Sequence, residues 1–392
     1  MGGFLLSIVI PTRNRAFFAE RAARQVLEIG DPRIQVIVQD NSDEPGLEDN
    51  LKDLTDSGAL TYVYHPGMLS FVDNFEAAVT LAQGEYVCVI GDDDGVAPGI
   101  IEVVEWAARH LVEAVVPSLD VVYYWPGSVD KARAHLAGSL VVSTPNWTAR
   151  LGDPRRAVVR LARRGGLDYT TLPLVKIYHG IVRRELIEEV WRTYGKCFGG
   201  LSPDIYSAVV LSLVAKSVVI IGWPLTIPGI CRTSGSGDSA SGKHTGRLQD
   251  APHFNGHEGY RWSRGVPAVY CVETIWADSM LAALRDMGQS SLIEAFGYGV
   301  LERVVKSRHP ELRNMIDALG GTRYVFRHLE AYAIFRAQQL SGRVKLVLSG
   351  KHRRVQCTDI VDIGSAAKAM GLVLQGHGSG YAALERVSGG WD

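Results

Sequence analysis

The chain has 392 residues, of which 46% are hydrophobic and 21% charged, with a formal net charge of -1. That balance excludes a disordered chain and supplies no global field for nucleic acid. No run of about 20 apolar residues exists, so no membrane span is expected; the longest candidate, from Ala208, is interrupted by Lys216 and Pro224.

The opening MGGFLLSIVIP lacks a basic leader and runs straight into a strand-like pattern, so it reads as mature sequence. Five scattered cysteines without a CxxC exclude a disulfide framework and a zinc site, and suit a reducing cytoplasm. In chain order, LLSIVIP reads as a buried strand closed by Pro11, and AFFAERAARQVLE as a helix with apolar residues at helical spacing. IQVIVQD is a second strand ending in Asp40, GLEDNLKDL a short helix, and LTYVYH a third strand. FVDNFEAAVTLAQG is a helix stopped by Gly84, EYVCVIG a fourth strand, and GIIEVVEWAARHLVE the helix behind it. This alternation predicts an α/β fold with a mostly parallel sheet flanked by helices. Past Pro145, DPRRAVVRLARRGG is a basic amphipathic helix, and LPLVKIYHGIVRRELIEEVWRTYG a strand and then a helix. LSPDIYSAVVLSLVAKS is a helix opening at Pro203-Asp204. VVIIGWPLTIPGICRTS reads as one or two edge strands, because of its prolines. The Gly/Ser-rich SGSGDSASGKHTG is expected to be a flexible loop, followed from Tyr260 to about Leu340 by a mainly helical region.

Ligands of such sheets sit beyond the carboxyl ends of the strands. Pro11 to Arg15, Asp40 to Ser42 and the triplet Asp92-Asp93-Asp94 all fall there. Three adjacent carboxylates repel one another, two unit charges about 4 Å apart costing roughly 4 kcal/mol at an effective dielectric of 20, so a cation is expected at the triplet. Mg²⁺ or Mn²⁺ with phosphate oxygens suits such a cluster; the plain alternative is an Asp-rich turn capping the next helix. Asp40 can accept a ring N–H of a bound base, which uracil, thymine and guanine offer, or form an Asx turn with Asn41 and Ser42.

SIVIPTRNR, VIVQDNS and NFEAAVTLAQGEYVCVIGDDD together resemble the GT-A glycosyltransferases of family 2, over Leu5 to Gly99 and more loosely to about residue 235. The resemblance implies a Rossmann-like catalytic domain over 1–235, with a nucleotide-sugar-binding half (1–100) and an acceptor half (101–235). The flexible loop and mainly helical C-terminal region then fill 236–392. It implies inverting, metal-dependent transfer of a sugar from a nucleoside diphosphate, with UDP favoured because the family residue equivalent to Asp40 holds uracil. It places Asp92 near the ribose and Asp94 on the metal, with Asp93 supporting either role. Thr12, Asn14 and Arg15 resemble the family's base-and-ribose wall, behind Pro11, which sets the chain direction at the strand exit. Asn74 matches a donor-facing asparagine. The general base falls on Asp204, although Pro203 replaces the family's usual acid, and a Pro-Asp helix start is also ordinary capping chemistry.

Two expectations concern the flanking segments. Lys243 and His244 are candidates to meet the diphosphate or metal if the Ser234–Gly246 loop closes, the other reading being a plain surface loop. The basic helix with Arg155, Arg156, Arg160, Arg163 and Arg164 is either a solvated face or a peripheral contact with the inner face of a membrane carrying a lipid-linked acceptor. The expected function is transfer to a glycan or lipid-linked hydroxyl in polysaccharide or glycoconjugate biosynthesis. The alternatives are a sugar-nucleotide or glycan-binding protein on a degenerate scaffold and a sugar-nucleotide nucleotidyltransferase, which PTRNR disfavours for lack of glycine.

Overall fold

Seven consecutive buried residues, Leu6–Thr12, form strand β1, and Ile34–Asp40 form β2 in the same way. A strand buried along its whole length must be covered on both faces. In β1, Leu6, Ile8 and Ile10 join one apolar cluster and Val9 joins the other, the period-two alternation of a strand between two helical layers. The computed structural model describes residues 3–118, 120–129, 131–233, 245–318, 332–337, 340–341, 354–375 and 380–388. Lys243 and His244 lie outside the described residues.

β3 (Thr61–Tyr64) and β4 (Tyr86–Val89) complete the first half of the sheet, in the order β3-β2-β1-β4, all parallel. Helices α1 (Ala16–Leu27), α2 (Gly46–Asp56) and α3 (Phe71–Thr80) join these strands, and α4 (Ile100–Arg109) follows β4. α3 starts where Ser70 accepts the Asp73 N–H on its Oγ at 3.0 Å, the ordinary N-cap bond. Beyond β4 the sheet continues through Ile181–Arg183, Ala114–Val116, Val218–Ile221 and Ala149–Leu151. Ile181–Arg183 runs antiparallel between β4 and Ala114–Val116, so it inverts the chain at the middle of the sheet. The result is the expected α/β fold with a mostly parallel sheet.

One strand reading changes. Val218–Ile221 is not an edge strand: it is parallel to Ala114–Val116 and antiparallel to Ala149–Leu151, because Pro224 and Pro228 fall after it rather than within it. The segment from Leu172 holds the expected strand and helix, as Ile181–Arg183 and Arg184–Tyr194, and the residues before them tie to the sheet by a bridge from Tyr178 to Val89.

A second sheet lies beside α1, whose Phe17 and Phe18 meet Trp125 edge-on. Gly229–Ile230, Val121–Tyr124, Ser139–Ser143 and Arg354–Cys357 pair in that order. The helix Ile363–Gln375 then packs its apolar residues Ile363, Ala366 and Met370 beside Trp125 and Tyr123. None of the five cysteines forms a disulfide, and four of them are buried. Among the described residues, no helix is long and apolar enough to cross a membrane.

Candidate active site

The register of the parallel strands builds the site. Val9 of β1 lies opposite Val89 of β4, so Thr12 and Asp92, each three residues further on, leave the sheet side by side. Thr12 Oγ1 donates to Asp92 Oδ2 at 2.6 Å. Arg15, at the start of α1, reaches both neighbours of that bond: Nη1 stands 2.9 Å from Asp92 Oδ1 and Nη2 2.8 Å from Asp93 Oδ1. The rest of the triplet is held from a distant segment. Cys231 donates its backbone N–H to Asp93 Oδ2 at 3.1 Å, and Gly229 donates to Asp94 Oδ1 at 2.7 Å. Asp94 Oδ2 accepts the Gly91 N–H at 2.6 Å and the Tyr178 hydroxyl at 2.9 Å, with His179 Nε2 at 3.3 Å.

All three carboxylates are buried, and burial pushes each of them above the ordinary carboxylate range. Arg15 opposes the shift on each, while Asp93 and Asp94 raise it on Asp92, and Asp94 raises it on Asp93. His179 adds no compensating charge, because burial, helped by Lys176, pushes its imidazole down to about 3. Its Nδ1 pairs with Thr226 Oγ1 at 3.0 Å. One permanent cation therefore faces three acids.

That imbalance is what a divalent ion would correct, and the donors can be ranked. Both oxygens of Asp94 are already engaged by the four groups named above. Asp92 Oδ1 has no hydrogen-bond partner and meets only the Arg15 charge. Asn74 Oδ1, on α3, is also buried without a partner, while its Nδ2 donates to the Thr12 carbonyl at 3.2 Å. Asn74 Oδ1, and Asp92 Oδ1, which the ion would share with Arg15, are hard oxygen donors of the kind Mg²⁺ and Mn²⁺ take, and both residues line one cavity with Asp94.

The cavity has a volume of 360 Å³ and is walled by Thr12, Arg15, Asn74 and the acidic triplet. Asp204 lines the same cavity, as do Ser202, Tyr178 and His179. Asp204 sits in the first turn of the helix Pro203–Val214 and accepts the Ser202 hydroxyl on Oδ1. Burial pushes its carboxyl up, against the pull of Ser202, its helix N–H groups and Lys176. A carboxylate so displaced is a better proton acceptor near neutral pH than an ordinary aspartate. Phe71, half exposed, and Trp276 supply apolar surface at the rim.

Pro11, Thr12, Arg15, Asn74, Asp92, Asp93, Asp94 and Asp204 therefore meet in one cavity. Asn14 and Asp40 do not line it. Asn14 exchanges hydrogen bonds with Asp43, Nδ2 to Oδ2 at 2.8 Å and Asp43 N to Oδ1 at 2.9 Å, tying the loop after β1 to the loop after β2. Asp40 accepts the Ser42 N–H at 2.8 Å and hydroxyl at 2.5 Å on one oxygen, and the Tyr62 hydroxyl at 2.9 Å on the other. Tyr178, His179 and Gly229 were not foreseen. A signal for His179 exists in KIYHG, where two basic residues interrupt an apolar run; His179 has φ +64°. Cys271, Glu273 and His309 bring three ligand-type atoms within 4.8 Å, but Glu273 is occupied by Arg308 at 2.9 Å and His309 at 3.0 Å, so the cluster is an ion-pair network.

Comparison with known proteins follows the same lines. Residues 7–191 match the family model described as glycosyl transferase family 2. Among solved structures the chain is similar to S. aureus TarS 1-349 in complex with UDP, at 14% identity and a TM-score of 0.42 over 58% of this chain and 61% of that one. The chain thus spans less than two thirds of that neighbour. It is similar to the same protein in complex with UDP-GlcNAc, at 13% identity and a TM-score of 0.45 over 78% and 92%. A third likeness is to the mannosyltransferase PcManGT from Pyrobaculum calidifontis in complex with GDP-Man and Mn²⁺, at 14% identity and a TM-score of 0.38 over 89% and 88%. No curated protein matches the chain.

Proposed function

We propose, from the match of residues 7–191 to the model of glycosyl transferase family 2, that the chain moves a sugar from a nucleoside diphosphate sugar to an acceptor hydroxyl, with inversion. The observation that carries this reading is that Asp204 lines a single cavity together with Thr12, Arg15, Asn74 and the acidic triplet. A donor would lie with its phosphates toward Arg15, Asp92 and Asn74 and its sugar toward Asp204. A divalent ion on Asp92 and Asn74 would neutralise the diphosphate as it leaves. The acceptor hydroxyl enters beside Asp204, which removes its proton during attack. Tyr178 and His179 act as positioning residues, since they hold Asp94 and so fix the loop that carries Asp92. The family pattern that favours UDP rests on Asp40, which does not line the cavity, so UDP-, GDP- and dTDP-sugars all stand as donor candidates; a glycan or lipid-linked hydroxyl is the expected acceptor class.

The test is a two-stage measurement on the full chain. UDP-, GDP- and dTDP-sugars are screened for thermal stabilisation with and without Mn²⁺, since a ligand of the folded state raises its melting point. The best donor is then assayed for hydrolysis or transfer by wild type and Asp204→Asn. Donor binding in both proteins with turnover lost by about 10²-fold or more in the variant is the expected result. Unchanged turnover would remove Asp204 from the base role, and binding without any turnover in wild type would make the protein a sugar-nucleotide binder.

A further inference from the structure

The helix Pro154–Arg163 covers the end of the sheet farthest from β1, above Val218–Ile221 and Ala149–Leu151. Arg156, Arg160 and Arg163 are spaced i, i+4 and i+7, so they stand on one face and run along about 10 Å of helix. All three are exposed, and with Arg150 and Arg164 they line a groove of 680 Å³ floored by Leu172, Pro173 and Ile220. The carboxylate in that wall, Asp153, turns Oδ1 to the Arg156 backbone N–H at 2.9 Å, and Asp168 is paired with Arg164 at 2.9 Å. Among the described residues, no carboxylate pairs with Arg150, Arg156, Arg160 or Arg163.

The row offers several exposed guanidinium groups to one hollow, and the fork of each arginine matches phosphate oxygens two at a time. The length of the row suits successive phosphates rather than one carboxylate. Its concave form suits a discrete ligand rather than a flat bilayer. We propose that this groove binds a soluble ligand carrying successive phosphate groups. The groove shares Arg150, Leu172, Pro173 and Ile220 with a second hollow of 570 Å³, whose wall includes Val116, Ile221 and Lys176. Those residues lie at the carboxyl end of the sheet, the edge from which Thr12 and Asp92 also emerge. The sheet order sets the groove four strand spacings from β4, about 19 Å. A long phosphate-bearing acceptor could therefore rest there with a distal hydroxyl near Asp204. That use rests on the transferase reading; phosphate binding in the groove does not.

The experiment titrates inorganic tripolyphosphate into the full chain by calorimetry, at low and at high salt. Wild type is compared with the triple variant Arg156→Ala, Arg160→Ala, Arg163→Ala and with the single Arg160→Glu, each checked for an unchanged melting curve. Affinity at least tenfold lower in the triple variant, a smaller loss in the single one, and weakening of wild-type binding by salt are expected. UDP binding should be the same in all three proteins. Equal tripolyphosphate affinity in wild type and variants overturns the proposal, as does sedimentation with phosphatidylglycerol vesicles in the absence of tripolyphosphate binding. Loss of UDP binding in wild type with the tripolyphosphate contrast intact would sink the transferase reading alone.

Discussion

The backbone N–H of Gly229 donates to Asp94 at 2.7 Å, across 135 residues of chain. The approach is so close that a Cβ on Gly229 would stand 1.9 Å from the Asp93 carbonyl oxygen, which is backbone and cannot turn aside. Gly229→Ala is therefore expected to part the two segments, strip Asp94 of one donor and destabilise the fold by about 1–3 kcal/mol, the cost of a buried acceptor left short. Chemical denaturation gives the stability, and donor titration should show weakened binding, since the acidic loop moves with the break.

Arg15 forms ion pairs with both Asp92 and Asp93. Removing one partner of a buried pair typically costs 3–5 kcal/mol, so Arg15→Ala should lower stability by about that amount at neutral pH. The loss should shrink in acid, where the carboxylates are protonated and need no partner. Mn²⁺ should raise the melting temperature of the variant more than that of wild type, because the ion replaces the missing cation. An equal response in both proteins would place the ion elsewhere.

Asp40 separates two roles cleanly. Its oxygens hold Ser42 and Tyr62 and do not face the cavity, so Asp40→Ala leaves those donors unpaired and should cost about 1–3 kcal/mol. Donor affinity, measured well below the melting point, should stay within a few-fold of wild type. A hundredfold loss of affinity without loss of stability would mean that Asp40 turns to the base when donor binds.

The Glu273 network predicts a pH signature. Burial would push the Glu273 carboxyl up, but His309 and Arg308 outweigh it and hold it at about 2. Its folded value lies below the unfolded one, so the stability it confers is present above about pH 4.3 and is lost as pH falls toward 2. The full effect is about 3 kcal/mol. The Glu273 hydrogen bond raises His309, so its contribution has the opposite sense: present at low pH and lost as pH rises through its folded value. The stability difference between wild type and Glu273→Gln should thus be largest in mildly acidic solution and narrow on both sides. A difference that does not vary with pH would show that the network carries no titratable stability.

The first half of the fold was legible because each strand from Leu6 to Val89 lies between helices whose apolar residues recur at helical spacing. Ala114–Val116 and Ile181–Arg183, three residues each, are too short to show a period. Thr12, Asp92 and Asp204 were readable as polar residues just beyond a strand or at a helix start. The contacts that set their chemistry were not. Arg15 reaches its acids 77 and 78 residues away, and Tyr178 and His179 arrive on an irregular segment just before Ile181–Arg183, a strand whose antiparallel place in the middle of the sheet no local pattern announces. The Asp40 turn was readable as one of two options, and only the Tyr62 hydroxyl, brought alongside by β3, commits its second oxygen.

Ile363 lies directly behind the acidic loop: a side chain on Gly95 would stand 2.6 Å from its Cγ1. The helix that begins there is also joined to the strand Arg354–Cys357, which zips onto Ser139–Ser143. During synthesis, then, the ribosome must deliver residue 363 before the loop made some 270 residues earlier gains its backing. A nascent chain stalled short of that point would carry the acids of the site without the wedge that seats them.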